Sequence, residues 1–318
     1  MKNRREFTRH ALLATTPLAL WQAGTTEARA KGRISAQQEF REKFLASGAQ
    51  LRYAPHGAHG RAWTSDLEQG YQSFKNHPDV SYAVKRIGGG YRATHNADRL
   101  MHGGSMPKPV VAACLLEKKK GNLTREEFQH VVNACDRSVN ASWRAMLARF
   151  DHGDEQHFER KYRLPDVGIR ANQFTAKFYA EFLDRCVRYE IDHGCELLLE
   201  AMRRSQYGRG RWYLPRSISY VGGKTGTSAG FKNEGLFLKY RGGSWAIVVF
   251  TKNNFGSGGN IWRMGALFGG LFREHVAGMG GIGRASAGER SRGQSDTASR
   301  TRPETGTRTR RLLPLFER

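Results

Sequence analysis

A chain of 318 residues and 35.8 kDa with 39% hydrophobic residues holds enough apolar material for a packed core, which excludes a globally disordered protein. Its 52 Lys and Arg against 29 Asp and Glu give a formal charge of +23; this permits non-specific contact with an anionic cell-envelope polymer, but no zinc-finger, RNP-like or aromatic–basic repeat makes nucleic acid a specific ligand. No apolar run reaches the ~18 residues of a membrane-spanning helix, and four cysteines without C-x-x-C spacing exclude a small disulfide scaffold.

Residues 1–30 combine a charged start (Arg4, Arg5, Glu6, Arg9), a modest apolar stretch from Ala11 to Ala23, and the A-x-A cleavage pattern Ala28-Arg29-Ala30. That order predicts a secretory signal. The Arg4-Arg5 pair with Phe7 two residues on resembles a twin-arginine signal, which carries folded proteins across the bacterial inner membrane, so a periplasmic location is expected. Residues 31–282 are expected to form the folded domain. Residues 283–318 carry nine Arg and almost no apolar side chain before Leu312, which predicts a disordered basic tail.

Within the domain, Phe40, Phe44 and Leu45 suggest a first helix over residues 35–51. Val80 to Val84, the run Gly88-Gly89-Gly90, and Tyr91 to Thr94 predict a strand, a turn and a strand. Ser105 to Lys120 has Val110, Val111, Cys114 and Leu115 on one helical face, and Pro107 and Pro109 are tolerated if the helix opens at about Ser105. Thr124-Arg-Glu-Glu127 is a capping box opening a helix towards Cys135. Further helices are expected from Ala141 to Phe150 and from Thr175 to Tyr189. Leu236 to Tyr240 and Trp245 to Thr251 form a second, more apolar hairpin, and Ile261 to His275 a closing helix. Strands from both ends of the domain must then meet in one sheet, with a helical block between them in sequence.

Three short motifs follow one another. Ser105-Met106-Pro107-Lys108 is an S-x-x-K, which on a helix sets a lysine amine beside a serine hydroxyl. A desolvated neutral lysine can take the serine proton. Ser138-Val139-Asn140 puts a hydroxyl and an amide at a helix junction. Lys224-Thr225-Gly226, followed by Thr227, lies in a glycine-rich stretch where a substrate strand can approach closely. Each motif alone is weak; the set in this order is not.

The set S-x-x-K, S-x-N, K-T-G resembles the penicillin-recognising serine enzymes, that is, class A β-lactamases and penicillin-binding D-Ala-D-Ala peptidases. The resemblance spans about residues 75–280. It implies an α+β fold: an antiparallel sheet flanked by helices plus a helical lobe, with the site between them. It also implies roles. Ser105 is the acylated nucleophile and Lys108 its base. Ser138 passes a proton to the departing nitrogen, and Asn140 contacts the substrate's amide side chain. Lys224 and Thr225 bind the substrate carboxylate beside Gly226 and Thr227. The backbone N–H groups of Ser105 and Thr227 form the oxyanion hole. The substrate class is a β-lactam or a peptide ending in D-Ala-D-Ala, with no cofactor and no metal. A D-alanyl-D-alanine carboxypeptidase inhibited by β-lactams, and a non-catalytic cell-wall or ligand-binding homologue, are the competing readings.

The chain also departs from the class A pattern. It lacks the E-x-x-x-N loop whose glutamate activates the deacylating water; Glu155, Glu159 and Asp166 lie in that stretch without the spacing. Only 33 residues separate Ser105 from Ser138, so the helical lobe is expected to be shortened. Slow deacylation follows, with Lys108 as the competent base. The stretch Asp151 to His157 is expected to be a solvated acidic loop rather than a metal site, and His102 a structural or exposed histidine. Cys114 and Cys135 either form a disulfide after export or remain buried thiols.

Overall fold

The computed structural model describes residues 60–205, 208, 210–218, 220–228, 230–255 and 261–279. The expected signal segment, the helix over residues 35–51 and the basic tail lie outside them. The order of elements is α1 (Ser65–Phe74), β1 (Val80–Arg86), β2 (Tyr91–His95), β3 (Met101–His102), α2 (Lys108–Lys118), α3 (Arg125–Cys135), α4 (Asn140–Leu147) and α5 (His152–Lys161). There follow β4 (Gln173–Phe174), α6 (Ala176–Val187), α7 (Cys195–Arg204), β5 (Tyr220–Ser228), β6 (Phe231–Tyr240), β7 (Gly243–Thr251) and α8 (Ile261–Leu271).

Five strands make one antiparallel sheet in the order β2-β1-β7-β6-β5. Among the described residues the first and last strands thus meet at the β1–β7 pair, where Val84 stands opposite Ile247. Alternation along β7 explains why its apolar run is continuous: both faces of the sheet are covered. Ala246, Val248 and Phe250 pack with Phe178, Phe182 and Leu183 of α6 and with the helical lobe. Ile247 and Val249 pack on the other face with Leu267, Phe268 and Leu271 of α8 and Tyr71 of α1. The fold is the expected one, and its helical part is reduced: the described residues contain eight α-helices in all.

Three helices had no clear signal in the sequence: α1, α5 and α7. The largest correction concerns α5. Asp151 is not part of a solvated loop but the N-cap of a helix, in a capping box with Asp154. Glu155 and Glu159 are buried at 1% and 4% exposure. Glu155 accepts from the Ile169 N–H at 2.7 Å and Glu159 from the Val167 N–H at 3.3 Å, so α5 holds the backbone of the loop that leads into β4. Among the described residues no cluster of side chains has the make-up of a metal site. All four cysteines are free and buried, which decides between the two alternatives for Cys114 and Cys135 in favour of thiols.

Candidate active site

Helix α2 begins at Lys108, with Pro107 as its N-cap, not at Ser105. Pro109 then falls in the first turn, where a missing N–H removes no helical bond. Ser105 sits half-buried on the turn just ahead of the helix, and the i to i+3 spacing still delivers the contact: Lys108 Nζ lies 2.9 Å from Ser105 Oγ. The second motif lies between α3 and α4, with Asn140 the first residue of α4. Ser138 has φ +62°, a left-handed conformation costing about 1–2 kcal/mol outside glycine. That strained turn aims Ser138 back at α2. The third motif runs along the middle of β5, directly ahead of the β6–β7 hairpin as expected.

Lys108 is where the motifs meet. Its Nζ also lies 2.5 Å from the Ser138 carbonyl oxygen, 3.1 Å from Ser138 Oγ and 2.7 Å from Asn140 Oδ1. Two of these partners only accept. They take the two N–H bonds of a neutral amine and leave its lone pair for the Ser105 hydroxyl. Lys224 Nζ donates to Ser138 Oγ at 2.8 Å and to the Thr225 carbonyl at 2.9 Å. One hydroxyl therefore bridges two lysines, each 1% exposed.

Burial pushes the Lys108 ammonium down to about 8. It pushes Lys224 down to about 7, with the Lys108 charge adding to the effect. Cys135, close to both, is held up to about 12 by burial, so it is a neutral thiol and offers the lysines no counter-charge. Thr225 is buried with Lys224, whereas Asn140 and Thr227 are exposed, so the constellation opens to solvent on the Asn140 and Thr227 side.

Glycine is required where β5 meets the serine turn. A Cβ on Gly226 would stand 2.0 Å from the Gly103 carbonyl oxygen and 2.9 Å from the Ser105 nitrogen. The K-T-G strand thus lies backbone to backbone against the turn that carries Ser105. His102 is exposed, as one of its two readings held. It borders the turn: its Nδ1 accepts the Gly104 N–H at 3.2 Å, and its ring packs on Phe231 with centroids 5.2 Å apart. The eight residues singled out in the sequence converge on one place, although Asn140 turns its amide oxygen to Lys108. Asn172 was not anticipated. It reaches the turn through the two-stranded pairing of β3 with β4, a contact across 68 residues with no short-range signal.

An antiparallel sheet backed by helices, with two buried lysines flanking a pair of serines, brings together the groups that acyl transfer through a serine hydroxyl needs. Residues 144–261 match the model of the β-lactamase enzyme family. That segment includes Lys224-Thr225-Gly226 but begins after the first two motifs. No curated protein matches the chain in sequence. Among solved structures, the TLA-1 extended-spectrum β-lactamase is similar with a TM-score of 0.56 at 16% identity, over 67% of this chain and 99% of the other. A β-lactamase from Sphaerobacter thermophilus has a TM-score of 0.55 at 16% identity, over 66% and 96%. A class A β-lactamase from Mycobacterium abscessus has 0.52 at 14%, over 66% and 97%. These structures share the fold of this chain, and the family match covers its residues 144–261.

Proposed function

We propose that this protein is an exported serine hydrolase that opens β-lactam amide bonds through an acyl-enzyme on Ser105, and that it releases the acyl group slowly. The observation that carries the reading is Lys108, buried, with two acceptor-only partners and the Ser105 hydroxyl as its third neighbour. Ser105 Oγ attacks the lactam carbonyl carbon as Lys108 takes its proton. The carbonyl oxygen becomes an oxyanion facing the N–H groups of Ser105 and Thr227. The C–N bond breaks, and the nitrogen takes a proton through Ser138, which Lys224 and Lys108 both touch. Water then attacks the ester and Ser105 is regenerated.

Burial lowers both lysines. A bound substrate carboxylate parts them: its charge raises Lys224, and the retained ammonium keeps Lys108 neutral. Lys224 is then the anchor, with Thr225, and Lys108 the base.

A D-alanyl-D-alanine carboxypeptidase is the second reading, favoured by the loop over residues 163–172. Its neighbouring carboxylates, Glu155 and Glu159, are occupied by the loop's own N–H groups. That leaves Lys108 to activate the deacylating water, and a persistent acyl-enzyme is what β-lactams form with peptidases. Export through the twin-arginine route rests on Arg4-Arg5 and the short apolar stretch after it; changing both to Lys should strand the precursor inside the cell. Contact with an anionic cell-envelope polymer follows from the charge of +23 and should vanish at high salt.

The deciding experiment measures benzylpenicillin hydrolysis in parallel with D-Ala release from a peptide ending in D-Ala-D-Ala. Faster penicillin turnover supports the lactamase, and faster D-Ala release the peptidase. No turnover and no adduct with either substrate overturns both in favour of a non-catalytic homologue.

A further inference from the structure

The turn that carries Ser105 is held by a side chain that no motif contains. The backbone groups of Gly103 and Gly104 all have partners. The Gly103 N–H donates to the Asn172 carbonyl at 2.9 Å, and the Gly103 carbonyl accepts from the Met106 N–H at 3.1 Å. The Gly104 N–H goes to His102 Nδ1. The Gly104 carbonyl accepts from Asn172 Nδ2 at 3.0 Å. The Ser105 N–H donates to no group among the described residues. Because the peptide is planar and trans, the oxygen of Gly104 and the N–H of Ser105 point in opposite directions. Whatever fixes the one fixes the other.

Two glycines in succession leave that peptide free to rotate, and Gly104 has φ +63°. Asn172 is itself well anchored. Its N–H donates to the Ile169 carbonyl at 3.1 Å, Gly168 and Gln173 exchange two backbone bonds across the turn, and Glu155 holds the Ile169 N–H. The φ of Asn172 is +59°, a region that Asn and Asp tolerate better than other residues with a Cβ. Asn172 is 9% exposed, and its Oδ1 has no partner among the described residues, so Nδ2 is the working end of this amide.

We infer that Asn172 is a positioning residue for acylation: by gripping the Gly104 carbonyl it locks the Gly104–Ser105 peptide with the Ser105 N–H turned towards the oxyanion. The inference rests on the acyl-enzyme reading above. Removing the grip lets the peptide rotate and weakens one of the two oxyanion donors, without touching the substrate.

The test compares wild type with Asn172→Asp and Asn172→Gly. A carboxylate at 172 only accepts and repels the Gly104 oxygen; a carboxylic acid donates to it again. Asn172→Asp should be acylated by benzylpenicillin roughly 10- to 100-fold more slowly than wild type at pH 8, with little change in the dissociation constant of the non-covalent complex. The ratio to wild type should recover to within about 3-fold as the pH falls below about 4, where an aspartyl carboxyl takes up its proton. His102 on β3, Lys108 on α2 and Glu155 on α5, the titratable groups around the turn and its loop, are present in both proteins and cancel in the ratio. Gly suits a positive φ, so Asn172→Gly keeps the backbone and should show the deficit without recovery. A wild-type rate in either variant at pH 8, or a deficit in Asn172→Asp that is the same at every pH, overturns the inference. If the wild type forms no acyl-enzyme, the functional reading fails and the grip is still tested. The Ser105 amide resonance of protein labelled with 15N-serine should be single in the wild type and doubled or broadened in Asn172→Gly; an unchanged resonance overturns it.

Discussion

On the proposed reading Ser105 is the nucleophile: it is half-buried, and its hydroxyl lies 2.9 Å from the Lys108 amine. Ser105→Ala should cut acylation and turnover by at least ~10³-fold, measured by adduct formation and by hydrolysis. Lys108→Ala should suppress acylation by roughly 10²–10⁴-fold, the usual range for a lost general base. The lysine pair also sets the pH profile. Below about 7 both lysines are protonated in the free protein and Lys108 has no lone pair; above about 8 both are neutral and the carboxylate loses its anchor. The competent form carries one proton on the pair, so kcat/KM should be bell-shaped with its limbs near those values. A profile flat from pH 6 to 9 would contradict the assignment. Ser105, Lys108, Ser138 and Lys224 were legible in the sequence because each sits in a short motif with fixed spacing. The amide of Asn140 against Lys108, and Asn172 against Gly104, were not, since long-range packing alone creates those contacts.

The elements that hold these residues were legible where the hydrophobic period was clear. Both hairpins fall where the alternation and the glycine turns put them, and the Thr124 capping box opens α3 as expected. Helix α2 starts three residues late because Pro107 serves as its cap. Helix α5 was hidden because its buried residues include two glutamates, and a charged stretch carries no apolar period. Burial, aided by the charges of Glu155 and Asp166, raises Glu159 to about 8. For an acid raised in the folded state, the stability it lends is complete below its unfolded value and is lost as pH rises through about 8. Glu159→Gln keeps the acceptor for Val167 and removes the titration. Its melting temperature should therefore gain on wild type as pH goes from about 6 to 9, while deacylation changes little. A variant that acylates normally and then stalls would instead make Glu159 the deacylation base. In the sheet, Ile247 is wholly buried between Val84 and Leu236, and Ile247→Ala should cost about 2–5 kcal/mol in urea unfolding.

For the whole molecule, the outcome is a β-lactamase-type scaffold with a reduced helical part. Residues 284–318 have a composition unable to build a core, so a chain ending at Gly283 should keep its melting temperature and its acylation rate. A large fall in melting temperature would show that the tail docks on the domain. Among the described residues no helix is long and apolar enough to cross a membrane. Scaffold and motifs together argue for one chemical event, transfer of an acyl group to Ser105. The direct measurement is intact-mass analysis during incubation with benzylpenicillin, followed by peptide mapping of the adduct. An added mass equal to that of penicillin, formed within the incubation, lost only slowly and mapped to Ser105, is the predicted result. An adduct on another residue, or one that forms equally well on Ser105→Ala, would contradict it.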